Sequence, residues 1–212
     1  SGTATEGTDY TDGSGNIDDI TISAGDTTGT VNFTPTDDSI YEGNETATIA
    51  IIGVSGADAT ESGSQSVSVT ITENESAPTV TLTVSATSIA ENAGSSITVT
   101  ATLSGATDEN VTVALSTSGT ATEGTDYTDG SGVVDDITIS AGSTTGTVNF
   151  TPTDDSVYEG NETAILSISS VTGGSATESG SQSKTITIKD NESARTVTLE
   201  KSTTSIDENA GS

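Results

Sequence analysis

The sequence predicts an all-β chain of tandem, Ig-like Greek-key sandwiches, with about seven strands in each repeat of 117 residues. Three observations carry this. Apolar residues are β-branched and alternate with Thr or Ser, the period of a strand with one buried face. Gly, Asp and Asn punctuate these runs at short intervals. The segment Ser1 to Tyr10 recurs unchanged at Ser118 to Tyr127.

The offset, 118 − 1 = 117, also relates Pro35 to Pro152, Tyr41 to Tyr158 and Asn74 to Asn191. Aligning 1–75 with 118–192, 58 of 75 positions agree. That period is too long for a small solenoid unit and is the size of a domain. The register divides the chain into the last two-thirds of a first repeat (1–75), a complete repeat (76–192) and the opening strand of a third (193–212). Pro78 cannot donate to a ladder and suits a domain start.

In the complete repeat the strands are expected at 79–85, 96–103, 110–117, 135–140, 145–151, 162–171 and 183–190. The first two show the alternation most clearly, as Val80-Thr81-Leu82-Thr83-Val84 and Ile97-Thr98-Val99-Thr100-Ala101. Ser104-Gly105 closes the second, Asp129-Gly130 precedes the fourth and Gly173-Gly174 follows the sixth. This number and spacing suggest an Ig-like sandwich, while the absence of Cys and Trp excludes an antibody-type core. Phe150 is expected in the core, with Tyr127 and Tyr158 beside loops. Residues 1–75 lack the opening strands, so they are expected to expose a sheet edge and half a core. The tail 195–212 is then a candidate for strand donation between copies of the chain.

Thirty-two acids against four bases give a net charge of −28. That sign excludes phosphate tracking along nucleic acid and disfavours anionic membrane surfaces. No apolar run approaches the ~20 residues that span a bilayer. Without His or Cys there is no imidazole base, no thiolate and no ordinary zinc site. Cations are the natural partners of so much carboxylate.

The acids cluster. Asp154, Asp155, Glu159 and Glu162 fall within nine residues at irregular spacing between two strands, copied at Asp37, Asp38, Glu42 and Glu45. Such crowding costs free energy unless a cation compensates. Irregular all-oxygen loops suit Ca²⁺ better than octahedral Mg²⁺, and the Val157 carbonyl (Ile40 in the first copy) adds an oxygen. Asp126, Glu91, and Asp190 with Glu192 lie at strand ends that a Greek key can gather at one pole. Their first-copy equivalents are Asp9, and Glu73 with Glu75; Glu208 is the equivalent of Glu91 in the third repeat. Two readings stand at this point: solvated loop acids that keep the chain soluble, or a cation site. Asp108-Glu109 at a hairpin tip, and Glu123 and Glu178, fit the solvated reading.

At these residues the sequence resembles the Calx-beta domain family. The motifs are Ser-Ile-Ala-Glu-Asn-Ala-Gly at 88–94, Gly-Thr-Ala-Thr-Glu-Gly-Thr-Asp-Tyr at 119–127, Asp-Asp-Ser-Val-Tyr-Glu-Gly-Asn-Glu at 154–162 and Ile-Lys-Asp-Asn-Glu at 188–192. The resemblance implies a seven-strand sandwich with calcium at one pole. Its ligands by motif position are Glu91, Asp126, Asp154, Asp155, the Val157 carbonyl, Glu159, Glu162 and Asp190. Calcium-rich members end in consecutive aspartates, where this chain has Asp190-Asn191-Glu192.

The expected function is a structural repeat segment of an extracellular bacterial adhesin or surface filament, rigidified by calcium near the domain junctions. The alternative is a calcium-sensing regulatory module. An enzyme is disfavoured by the absence of His and by a site copied in each repeat.

Overall fold

In the middle of the chain, strict alternation closes two sheets over one core. The computed structural model describes residues 2–202, 204, 205 and 208. The strands contributed by residues before 76 are β1 Tyr10–Thr11, β2 Thr34–Pro35, β3 Ile40–Tyr41, β4 Glu45–Ala50 and β5 Ser66–Ile71. The next repeat opens with β6 Thr79–Val84, β7 Ser88–Ala90, β8 Ile97–Leu103, β9 Ala106–Thr107 and β10 Val111–Gly119. It continues with β11 Tyr127–Thr128, β12 Ile137–Ile139, β13 Thr145–Pro152, β14 Glu162–Thr172, β15 Thr177–Glu178 and β16 Ser183–Lys189. No helix occurs among the described residues.

One sheet has the order β12-β10-β14-β16-β7 and the other β11-β13-β8-β6-β15. The opening segment serves both: β6 pairs antiparallel with β8, and three residues later β7 pairs parallel with β16. That switch carries Glu91, just past β7, to the end of β16, where its amide donates to the Lys189 carbonyl at 2.9 Å. The inward residues of β8, Ile97, Val99, Ala101 and Leu103, are all buried, and each large one stabilises the fold by about 1.5–3 kcal/mol. The core also holds Leu82, Ile137, Ile139, Leu166 and Ile186. At Ala114/Leu115 a bulge interrupts β10, and the Asp136 carboxylate accepts the Leu115 amide there at 3.1 Å.

Phe150 is core, as expected. Tyr127 is a correction: it is 1% exposed, stacked on Phe150 with ring centroids 4.5 Å apart. Pairing of Tyr127 with Pro152 turns the ring inward although the local sequence reads as a turn. Tyr158 is exposed.

Residues before 76 use the same side chains with fewer partners. Their buried core is Ala4, Tyr10 and Ala47, with Tyr10 stacked on Phe33. Ile20 and Ile22 are 55% and 57% exposed, whereas Ile137 and Ile139, 117 residues on, are 1% and 0% exposed. Two of the strands that cover the latter, β8 and β10, have no counterpart among residues 2–75. Residues 193–202 pair with no strand, and Val197 and Leu199 are fully exposed. Residues 203, 206, 207 and 209–212 of the expected opening strand lie outside the described residues.

Candidate metal centre

Four strand ends and one loop converge at a pole of the complete sandwich. Asp126 precedes β11, Glu162 starts β14, Asp190 and Glu192 follow β16, and Glu91 follows β7. Between β13 and β14 runs the acidic loop. Glu91, Asp126, Asp155, Glu159, Glu162 and Asp190 together line a small cavity of about 10 Å³.

Two carboxylate triads form there: Glu91–Asp190–Glu192 and Asp126–Glu159–Glu162. Within each, one oxygen per residue lies within 4.8 Å of the others. Backbone amides fix the frame. Glu91 accepts the Asp155 amide at 3.0 Å, and Asp155 accepts the Val157 amide at 2.7 Å. Asp190 accepts the amides of Glu159 at 2.8 Å, Gly160, and Glu192 at 2.7 Å. Asp126 accepts the Thr122 amide at 2.6 Å.

The first repeat repeats this frame. Glu73 accepts the amides of Glu42 at 2.6 Å and Gly43 at 2.7 Å, and Asp38 accepts the Ile40 amide at 2.7 Å. Asp9, Glu42 and Glu45 form the third triad. Asp38, Ile40, Glu73 and Glu75 line the same cavity, of about 30 Å³. Asp37 instead accepts from the Asn74 side chain at 2.9 Å.

Burial and repulsion raise several of these carboxyls. Desolvation, then the charges of Asp126, Asp155, Glu91 and Asp190, push Glu159 up. Glu162 is raised by desolvation, then by Asp126, Glu159 and Glu91, and Glu192 by desolvation and its contacts with Asp190, Glu91 and Asp154. Burial also works to raise Asp190, but its three amide donors outweigh it and hold the group low. In the first repeat desolvation, with Asp9, Asp38, Glu45 and Asp108, pushes Glu42 up to about 7.

A hard cation fits this arrangement. All donors are oxygens, four Lys and Arg in the whole chain cannot neutralise 32 acids, and Glu192 Oε2 is buried without a hydrogen-bond partner. A buried unpartnered carboxylate oxygen beside two other carboxylates is costly unless a cation takes it. The residues that would hold the ion in the complete repeat are Glu91, Asp126, Glu159, Glu162, Asp190 and Glu192.

Other expected ligands fall elsewhere. Asp154 lines neither cavity and joins no triad among the described residues. Val157 is 52% exposed, and its amide donates to Asp155 within the frame. Glu208 is exposed and joins no triad. Glu123 and Glu178 are more than solvated acids: Glu123 accepts from the Val134 amide at 2.7 Å and the Thr117 hydroxyl at 2.8 Å, and Glu178 accepts the Gln182 amide. Sequence reasoning left Asp108 out of the site, yet it stands close enough to raise Glu42 and Glu45. Its only signal lies in pairing between repeats.

The fold and its acidic pole define a β-sandwich repeat with a carboxylate-rich end that could hold a cation. A sequence model of the Calx-beta domain matches residues 1–75 and 73–192, and the chain belongs to that family. No curated protein matches the chain. Among solved structures it is similar to the apo-form Calx CBD1 domain, at 20% identity over 53% of this chain and 97% of that one, with a TM-score of 0.43. It is also similar to CBD12 from CALX1.2, at 20% identity over 52% of this chain and 44% of that one, with a TM-score of 0.42. The chain thus spans less than half the length of CBD12.

Proposed function

We propose that the chain is a structural segment of an extracellular surface filament or adhesin, in which calcium at each sandwich pole stiffens the join between repeats. The observation that carries this reading is where the first-repeat triad lies. Ile40 and Tyr41 pair in parallel with Ala106 and Thr107 of the next repeat, next to Glu42 of the triad. Asp108, the following residue, adds its charge to Glu42 and Glu45 across the join. Carboxylates from two repeats therefore oppose one another there, and calcium supplies the compensating charge when bound.

Extracellular sites of this kind bind at roughly 10⁻⁴ to 10⁻³ M, which suits a constitutive clamp. Chelation should lower the melting temperature and loosen the two repeats, read by scattering. An unchanged melting curve and unchanged dimensions in EDTA, with the protein verified metal-free, would sink this reading.

Membership of the Calx-beta domain family favours a second reading, a calcium-sensing module. It requires affinity nearer the roughly 10⁻⁷ to 10⁻⁵ M of calcium sensors, so titration calorimetry separates the two.

A further inference from the structure

The complete repeat carries, exposed, the equivalents of the two residues by which the preceding repeat is joined to it. In β3, Ile40 and Tyr41 are half-buried and pair in parallel with Ala106 and Thr107. The Asp108 amide extends the pairing by donating to the Tyr41 carbonyl at 3.3 Å. On the receiving side Thr107 is 1% exposed. Gly174 closes over it so tightly that a Cβ there would lie 2.7 Å from the Thr107 side chain.

The equivalents of Ile40 and Tyr41 are Val157 and Tyr158. They are 52% and 49% exposed and belong to no strand. Yet the backbone around them is held in the same way. The Asp38–Ile40 bond of 2.7 Å has its copy in the Asp155–Val157 bond of 2.7 Å. Glu73 gathers the amides of Glu42 and Gly43, and Asp190 gathers those of Glu159 and Gly160. The segment is therefore fixed before any partner arrives, which removes much of the ordering cost of docking. An unpaired edge bearing two large apolar side chains is a template for strand addition.

The occupant follows from the first join. The edge that receives Ile40–Tyr41 is Ala106–Thr107, and in this chain that edge is already taken. Only another copy of the repeat offers a free one. We infer that Val157–Tyr158 is the docking edge for the Ala106–Thr107 segment of a further copy of this repeat, so that successive repeats join by one recurring parallel bridge. A two-residue bridge is small, and it holds because the linker keeps the partner at high effective concentration. The inference does not depend on calcium.

The chain contains neither Trp nor Cys, so single reporters are clean. The test extends the full chain at Ser212 with a second copy of residues 96–212, placing Tyr158→Trp in the original part. Extension should shift the Trp emission to shorter wavelength and lower its acrylamide quenching severalfold relative to the unextended Tyr158→Trp chain. Asp108→Pro in the appended copy, which removes the bridging donor, should reverse both. A second variant pairs Tyr158→Cys with Thr107→Cys in the appended copy, since residues directly opposite across strands suit a disulfide, and oxidation should give an intramolecular cross-link. Unchanged Trp accessibility, or no cross-link, overturns the inference. Calorimetry on the same protein keeps the two readings apart. Calcium binding without docking refutes the joint alone, and docking without any calcium binding refutes the calcium clamp alone.

Discussion

The Tyr41 carbonyl accepts a hydrogen bond from the Asp108 amide at 3.3 Å, and this bond brings a carboxylate of the second repeat to the triad of the first. Asp108→Asn should therefore act on the neighbouring repeat. Relieving repulsion raises metal-free stability slightly, while calcium affinity at Asp9–Glu42–Glu45 falls roughly fivefold, about 1 kcal/mol, as suits an exposed charge. The second-repeat triads should keep their affinity. Calorimetry on wild type and variant checks this, and equal weakening of all the sites would contradict it.

A raised carboxyl sets the pH dependence of the metal-free chain. Glu42 stands at about 7 in the fold against an ordinary 4.5, so between those values the native state holds more protons than the unfolded one. Stability then falls as pH rises through that window, and Glu45, Glu159, Glu162 and Glu192 act in the same direction. Asp190 and Glu73, held low, add stability that disappears only below their ordinary values. In EDTA the melting temperature should rise as pH drops from about 8 to about 5 and fall below about 4. Millimolar calcium should flatten or reverse the upper slope, because its ligands must be deprotonated. A melting temperature that declines steadily from neutral pH downward in EDTA would contradict the repulsion described at both poles.

Glu91 separates frame from charge. It is 7% exposed and accepts the Asp155 amide at 3.0 Å. Glu91→Gln keeps an acceptor there but removes a charge, so metal-free stability should hold while calcium affinity at the second-repeat pole drops by about tenfold, near 1.4 kcal/mol. Glu91→Ala leaves the Asp155 amide unpaired and should cost about 1–3 kcal/mol even without calcium. Denaturant unfolding in EDTA beside calorimetry distinguishes the two. Equal destabilisation by Gln and Ala would mean that the carboxylate itself holds the loop.

Much of this was legible because strand period is a local signal. Seven strands were placed within two residues of their observed ends, from Val80-Thr81-Leu82 through Ile186. The acidic loop was legible as crowding. What escaped depends on pairing between distant segments. Tyr127 follows Gly124 and Asp126 and reads as a turn, but its stacking on Phe150 depends on β11 meeting β13. Glu123 looked solvated because nothing local shows that it caps the Val134 amide. Asp108 at a hairpin tip gained its place from β3 of the repeat before it. Recurrence could not single out Tyr127 or Glu123, since 58 of 75 aligned positions agree.

The same agreement supplies an internal control on how burial makes stability. Ile20 and Ile137 are equivalent residues, the first 55% exposed and the second 1%. Ile137→Ala removes methyl groups from a closed core and should cost about 2–5 kcal/mol. Ile20→Ala removes them from a surface that no equivalent of β8 or β10 covers in the first repeat, and should stay within about 0.5 kcal/mol. With only Ala4, Tyr10 and Ala47 buried in its core among the described residues, the segment before residue 76 should also open first, giving two transitions rather than one. Hydrogen exchange resolved by segment measures both. If Ile20→Ala shifted the early transition as far as Ile137→Ala shifts the late one, the side chain would be buried in solution and the first repeat would be completed by strands from another copy.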